Sequence, residues 1–201
     1  MPGAPQIRSI DFTAPPTGES AEIMVHLEDG SSSLIGVATP RRPAALLEKG
    51  DYAFGAPTLY VEKLDEETIG EAVSVMAAEI GGFWLRYYSR KRDNDGKAMK
   101  TTLVELTDKK DGSAAAQVML EDGRQFSILT ATPAWFETSF KKSKLRFYFG
   151  PAVLFVKSLT LPVVKAAADA MAKQGDQVLC RYDTPRSTLP KVLADFRAKH
   201  A

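Results

Sequence analysis

The sequence predicts an α+β fold made of two similar units, each a sheet covered by helices. Three observations support this prediction: a long internal repeat, alternating apolar residues beside Asp-Gly turns, and two apolar stretches with helical spacing. With a shift of 93, residues 27–40 match residues 120–133 at eight of 14 positions. With a shift of 95, Leu59 pairs with Leu154 and Met76 with Met171. A register kept over this distance indicates tandem duplication of a whole unit and not of one hairpin.

Each unit is predicted to follow the order β-β-β-α-β-α-β, with antiparallel hairpins. Apolar and polar residues alternate in the first strands, and Asp29-Gly30 is a dipeptide typical of a tight hairpin turn. Thr39-Pro40 and Asp65 are typical helix starts, because Thr and Asp side chains accept bonds from free N–H groups and Pro has none to leave unpaired. The predicted elements of the first unit are strands 8–13, 23–27 and 33–38, helix 40–48, a strand 52–64 bent at Gly55-Ala56-Pro57, helix 65–80 and strand 83–89.

The second unit repeats this order. Its predicted elements are strands 102–107, 115–121 and 125–131, helix 133–142, a bent strand 145–159, helix 162–173 and strand 176–182. Apolar residues at helical spacing then predict an amphipathic helix near the C-terminus, marked by Leu189, Leu193 and Phe196. These patterns divide the chain into a first repeat, 7–92, a second repeat, 100–184, and a C-terminal helical extension, 185–201.

The composition is that of a globular protein, with 44% hydrophobic and 25% charged residues among 201. No apolar run approaches the roughly 18 residues of a membrane helix, and the N-terminus lacks the pattern of a signal peptide. The single Cys180 lies in an apolar run, which predicts a buried thiol and a reducing compartment. We therefore expect a soluble cytoplasmic protein without membrane contact.

The net charge of +1 conceals a strong polarity along the chain. Residues 1–83 contain five Lys and Arg against 13 Asp and Glu, whereas residues 84–201 contain 21 against 12. This asymmetry indicates either an anionic partner for the basic portion or attraction between the two portions.

The repeated Glu-Asp-Gly suggests paired carboxylates, Glu28 with Asp29 and Glu121 with Asp122, but hairpin turns explain it more simply. His26 is not kept in the second copy, where Met119 replaces it, and no motif supplies it with a nucleophile or carboxylate, so a surface or boundary position is expected. Two histidines and one cysteine cannot form a structural zinc site, and no calcium-binding loop is present. The sequence predicts no catalytic residue, metal or cofactor.

Two clusters of basic and aromatic residues are the best candidates for a binding surface, because exposed Trp, Tyr and Arg dominate protein interfaces. The residues expected to contact a partner are Trp84, Arg86, Tyr88, Arg90, Lys91 and Arg92 in the first cluster, and Trp135, Lys141, Lys142, Lys144 and Arg146 in the second.

These observations favour a non-enzymatic protein that binds another protein, such as an acidic one, in the manner of an adaptor or a toxin-immunity protein. Two alternatives stay open. Aromatic and basic residues together also suit single-stranded nucleic acid, although the pI of about 7.8 is low for that role. An enzyme with its site between the two repeats is the other alternative.

Overall fold

The computed structural model describes residues 4–88, 96–144 and 146–183. Within these residues the chain forms two five-stranded sheets and six α-helices, so the predicted α+β class is confirmed. The predicted C-terminal extension, 185–201, lies outside the described residues, as does most of the charged connection between the repeats.

The strands, in chain order, are β1 (Ile7–Phe12), β2 (Ser20–Leu27), β3 (Ser32–Ala38), β4 (Tyr52–Ala53), β5 (Thr58–Val61), β6 (Thr101–Lys110), β7 (Ser113–Leu120), β8 (Gln125–Ala131), β9 (Phe147–Tyr148) and β10 (Leu154–Val156). The α-helices are α1 (Arg42–Leu46), α2 (Glu66–Ala78), α3 (Phe83–Tyr88), α4 (Pro133–Lys142), α5 (Leu161–Gln174) and α6 (Asp176–Tyr182). The helix starts predicted at Asp65 and Thr132 are confirmed, since Asp65 accepts a 2.8 Å bond from the Thr68 backbone N–H and Thr132 accepts one from Trp135. The start predicted at Thr39-Pro40 is wrong, because the helix begins at Arg42 and the Thr39 hydroxyl donates to Glu19.

The two sheets have the same strand order. The first runs β1-β2-β3-β5-β9 and the second runs β6-β7-β8-β10-β4. Their register also agrees at positions that the sequence shifts make equivalent: Val37 lies opposite Leu59 in one sheet and Thr130 opposite Leu154 in the other. The sheets are mixed and not purely antiparallel, because β3 pairs with β5, and β8 with β10, in parallel. A parallel pair needs a crossover connection, and the segments that contain α1 and α4 supply it.

Each sheet is completed by a strand from the other half of the chain. The edge strand β9 belongs to the second sequence repeat but pairs with β5 in the first sheet. In return, β4 belongs to the first repeat but pairs with β10 in the second sheet. The segment predicted as one bent strand is therefore two short strands in different sheets, in both repeats. The chain changes sheets at Gly55-Ala56-Pro57 and Gly150-Pro151, where the missing Pro N–H groups interrupt any ladder.

The chain divides into two compact units that reflect this exchange. The first contains the described residues of Met1–Arg42, Ala56–Lys91 and Lys144–Gly150. The second contains the described residues of Pro43–Gly55, Arg92–Ser143 and Pro151–Ala201. The boundary between the two sequence repeats, between residues 92 and 100, stays a prediction. The compact units differ from the repeats because each includes a short segment from the other side of that boundary.

The last element of each repeat is a helix, so the prediction of strands at 83–89 and 176–182 is wrong. Aromatic residues favour strands in isolation, but the buried positions recur at helical spacing, with Leu85 and Tyr88 inward in α3. In α6, Val178, Leu179 and Tyr182 face the core and Cys180 faces outward. The expected burial of the Cys180 thiol is therefore also wrong, because the thiol is exposed.

Each unit has its own core between one sheet face and one long helix. In the first unit, Ile69, Val73 and Met76 of α2 join the cluster formed by the sheet. In the second, Val164, Ala168 and Met171 of α5 do the same. The residues predicted to be buried are Leu27, Leu59, Val61, Leu64 and Met76 with Leu120, Leu154, Val156, Leu159 and Met171; all are buried except Leu64, which is half-buried.

Replacing Leu59 or Leu154 by Ala should lower the free energy of unfolding by about 2 to 5 kcal/mol, because both side chains are fully buried and each change leaves a cavity. Denaturant titration monitored by circular dichroism measures the loss. Leu103→Ala is the control, since Leu103 is 43% exposed, and it should change stability by less than about 0.5 kcal/mol. A loss below about 1 kcal/mol for the buried leucines would contradict the face assignment.

Candidate functional site

The predicted partner-binding residues are divided between the two units. Trp84, Arg86 and Tyr88 lie on α3 of the first unit, and Lys144 and Arg146 precede β9 in the same unit. Trp135, Lys141 and Lys142 lie on α4 of the second unit. Arg90, Lys91 and Arg92 lie outside the described residues. The structure therefore groups five of the predicted residues in the first unit, three in the second, and leaves three undescribed.

Five aromatic rings of the first unit form a connected cluster, which we call the aromatic patch: Phe83, Trp84, Tyr87, Phe147 and Phe149. Trp84 is at its centre, with ring centroids 5.2 Å from Phe83, 5.6 Å from Tyr87 and 5.9 Å from Phe149. Phe147 stacks on Phe149 at 6.1 Å. The patch joins α3 of the first repeat to the exchanged segment of the second, because Phe147 and Phe149 come from that segment.

The aromatic patch is partly open to solvent. Phe83 is 43% exposed, and the other four rings are half-buried against the core of the unit. Arg86 is exposed on the same helix. Of the five patch residues, only Trp84 is among the residues that the sequence predicts to contact a partner. Helical spacing was the signal that could have found Phe83 and Tyr87, since residues four apart lie on one helix face.

Tyr88 is not part of this surface, and its prediction as a contact residue is corrected. It is buried, and its hydroxyl both donates to the Gly150 carbonyl and accepts from the Gly150 N–H, each at 3.0 Å. Burial is the main reason that the pKa of Tyr88 lies well above its usual value. Tyr88 therefore holds the exchanged segment in the first unit.

Tyr182 makes the corresponding contact in the second unit. Its hydroxyl accepts from the Gly55 N–H at 2.7 Å and donates to the Gly55 carbonyl at 3.2 Å. Gly55 and Gly150 are equivalent by the shift of 95, but the same shift pairs Tyr182 with Tyr87 and not with Tyr88. We call these two tyrosine–glycine contacts the clamps. The tyrosine of the first clamp, Tyr88, lies one position after the residue that the sequence repeat makes equivalent to Tyr182.

Two of the predicted basic residues, Arg146 and Lys141, are paired with carboxylates. Arg146 donates hydrogen bonds to Glu67 at 3.0 Å and to Glu71, both on α2, and the bond to Glu67 is the main cause of its raised pKa. Lys141 bonds to Glu137 at 2.6 Å, one turn earlier on α4. Lys144 is exposed, and its backbone has a left-handed conformation with φ of 53°. Arg146 and Lys141 therefore have local partners that reduce their attraction for a distant anion.

Trp135 is half-buried and lies against the turn between β6 and β7. A Cβ atom added to Gly112 would lie 2.6 Å from the Trp135 Cβ, so only glycine leaves room for this contact. The φ of Gly112 is 93°, which also favours glycine. Trp135 accordingly has a packing role in the second unit.

The repeated Glu-Asp-Gly sequences form hairpin turns, as the sequence predicts. Asp29 accepts from the Ser31 backbone N–H at 2.9 Å, and Asp122 accepts from that of Arg124 at 3.1 Å. Hydrogen bonds from Ser31 lower the pKa of Asp29 because they favour its charged form. Gly30 and Gly123 follow with φ of 85° and 84°. These aspartates stabilise turns and do not form a carboxylate pair.

His26 is half-buried on β2, on the sheet face opposite the core. The structure supplies the partners that sequence motifs did not reveal: Ser32 Oγ lies 2.8 Å from His26 Nδ1, and Asp11 Oδ2 lies 3.2 Å from Nε2. Ser32 is directly opposite His26 in the hairpin. Both residues lie three positions from Asp29, and this symmetry about the turn was the sequence signal for the pair.

Among the described residues, no group of three or more His, Cys, Asp or Glu side chains is placed to hold a metal ion. Nor does any described helix have the length and apolar character needed to cross a bilayer. No protein-family model matches this chain, and no curated protein or solved structure matches it. The aromatic patch and the cluster around His26 are the two candidate sites among the described residues.

Replacing Tyr88 or Tyr182 by Phe should destabilise the protein by about 1 to 3 kcal/mol, because each change leaves a glycine N–H and carbonyl without the hydroxyl partner. Chemical denaturation measures the effect. Tyr52→Phe is the matched control, since Tyr52 is half-buried and its ring stacks on Phe54. If Tyr88→Phe and Tyr182→Phe are as stable as Tyr52→Phe, the hydroxyl contacts with Gly150 and Gly55 contribute nothing to the free energy of unfolding.

Proposed function

We propose that the protein acts by binding another protein through the aromatic patch and Arg86, in the manner of an adaptor or a toxin-immunity protein. The observation that carries this proposal is the connected cluster of five rings in which Phe83 is 43% exposed. Aromatic side chains give a large contact area at low conformational cost, and Trp, Tyr and Arg dominate the energy of protein interfaces.

The packing of the aromatic patch against the core of the first unit also favours binding to a partner. Trp84, Tyr87, Phe147 and Phe149 pack against the core of the first unit, so their positions are fixed before a partner arrives. Preorganised contact groups lose less entropy on binding than mobile ones. Phe83 adds an apolar side chain that a partner can cover.

The partner surface that best complements this site is acidic. Arg86 is exposed on the helix that carries Phe83, Trp84 and Tyr87, and its guanidinium suits a carboxylate at the edge of a partner's surface. Opposite charge at the rim of an interface mainly accelerates association, and this acceleration weakens with salt because the screening length is about 10 Å at 0.1 M.

Single-stranded nucleic acid is less well supported than protein. Binding to phosphates requires cations that release counterions, but Arg146 and Lys141 are paired with Glu67, Glu71 and Glu137. In addition, Trp84 makes T-shaped contacts with three neighbouring rings, so these rings do not share one plane on which a base could stack.

The test is capture of a partner by immobilised protein from the cells that make it, followed by binding kinetics with the purified partner. The double variant Phe83→Ser and Arg86→Glu should lose most of the captured protein, with affinity at least about 30-fold lower because two contacts of hot-spot type are removed. Leu103→Ser is the matched control, since Leu103 and Phe83 are both 43% exposed.

Unchanged capture by the double variant would overturn the proposed site. Equal loss with Leu103→Ser would show that capture reflects general exposure of apolar side chains. Recovery of nucleic acid instead of protein, with the same dependence on Arg86, would favour the alternative partner.

A further inference from the structure

The outer face of the first sheet carries a nucleophile, a base and a carboxylate in hydrogen-bonding order. Ser32 Oγ lies 2.8 Å from His26 Nδ1, and His26 Nε2 lies 3.2 Å from Asp11 Oδ2. The three residues come from three adjacent strands, β3, β2 and β1, whose pairing fixes their backbones. The distance between Ser32 Oγ and His26 Nδ1 falls within the range for proton transfer from a hydroxyl to a base, and the distance to Asp11 allows a hydrogen bond that orients the imidazole.

Asp11 selects the tautomer that can act. A carboxylate accepts hydrogen bonds, so the contact with Asp11 favours a proton on Nε2. Nδ1 is then unprotonated and can accept the Ser32 hydroxyl proton. Asp11 is thus a positioning residue, whereas Ser32 and His26 can touch the reacting atoms.

The adjacent serine has a different partner. Ser31 Oγ donates to Asp29 Oδ1 at 2.7 Å and so takes part in the hairpin turn. Ser31 and Ser32 are both exposed, but only Ser32 bonds to an imidazole. The difference between Ser31 and Ser32 therefore lies in the side chain that each one bonds to, and not in solvent exposure.

The second sheet gives an internal comparison. The shift of 93 places Met119 at the position of His26 and Gln125 at that of Ser32. These two side chains are also in contact, with Gln125 Nε2 3.9 Å from Met119 Sδ. Cross-strand packing at this position therefore does not require a base or a hydroxyl, and the first sheet alone has both.

We propose that Ser32, His26 and Asp11 form an acyl-transfer site that cleaves esters. Ser32 Oγ bonds to the ester carbonyl carbon while its proton passes to His26 Nδ1. The carbonyl oxygen takes up the π electron pair, which re-forms the double bond as the alkoxide leaves with the proton from Nδ1. Water then attacks the acyl-Ser32 ester in the same way, releasing a carboxylic acid and restoring the serine.

The surroundings indicate the class of ester. Met24 and Leu34 are opposite each other in the hairpin, two residues along from His26 and Ser32 on the same face. Leu34 is 47% exposed, so an apolar acyl group can lie on it. Asp11 has a side chain that is 64% exposed, and its charge disfavours an anionic substrate at this edge. A neutral ester with a short apolar acyl chain fits best.

The test uses a fluorophosphonate probe and p-nitrophenyl butyrate on the full chain. Mass spectrometry should locate the phosphonyl group on Ser32 and not on Ser31, and Ser31→Ala should keep the labelling rate. His26→Gln should reduce labelling and ester cleavage by about 100-fold or more, which is the usual contribution of a general base. Asp11→Asn should reduce both at least about tenfold, and Asp11→Glu should restore part of the rate.

Circular dichroism and denaturation midpoints of each variant separate loss of chemistry from loss of fold. If His26→Gln does not fold, Asp11→Asn provides the same test, since the Asp11 side chain is largely exposed. Labelling of Ser31 and Ser32 at equal rates, no labelling of Ser32, or ester cleavage unchanged in Ser32→Ala would each overturn the proposal. Failure here leaves the aromatic patch untouched, because none of these residues belongs to it.

Discussion

The structure depends on a reciprocal exchange: each sheet is completed by a two-residue strand from the other half of the chain. Phe147–Tyr148 pairs with β5, and Tyr52–Ala53 pairs with β10, in the same antiparallel register. The Tyr88 and Tyr182 hydroxyls then bind both polar groups of Gly150 and Gly55. Buried backbone groups need such partners, because an unsatisfied one costs about 1 to 3 kcal/mol. Neither unit is complete without the other half of the sequence.

The candidate binding site follows from this exchange. Trp84 of α3 packs on Phe149, and Phe149 reaches the first unit only because the exchanged segment carries it there. The ion pairs of Arg146 with Glu67 and Glu71 fasten the same segment to α2. The aromatic patch therefore exists only when residues from both repeats have assembled, which links folding of the whole chain to the proposed recognition surface.

Sequence patterns predicted the local structure better than the assembly. Hairpins, helix caps and core faces follow from short-range chemistry, and Asp29-Gly30, Asp65 and Leu59 behave as expected. The exchange could not be predicted, because a bent strand and two strands in different sheets have the same apolar pattern. The strand propensity of aromatic residues led to a wrong prediction at Phe83–Tyr88. This segment is a helix, because Leu85 and Tyr88, three residues apart, both pack into the core. His26 and Ser32 were recoverable from hairpin symmetry, but the contribution of Asp11 needed the register of β1.

The most direct test of the account is hydrogen exchange measured by mass spectrometry on Leu59→Ala, which removes a buried side chain from the core of the first unit. Because each unit contains a strand that the other half of the chain supplies, opening the first should also release the second. We expect amide protection in β7 and β8 of the second unit to fall together with that in β2 and β3. Loss of protection in β2 and β3, with β7 and β8 unchanged, would contradict the claim that the exchange makes the two units one cooperative structure.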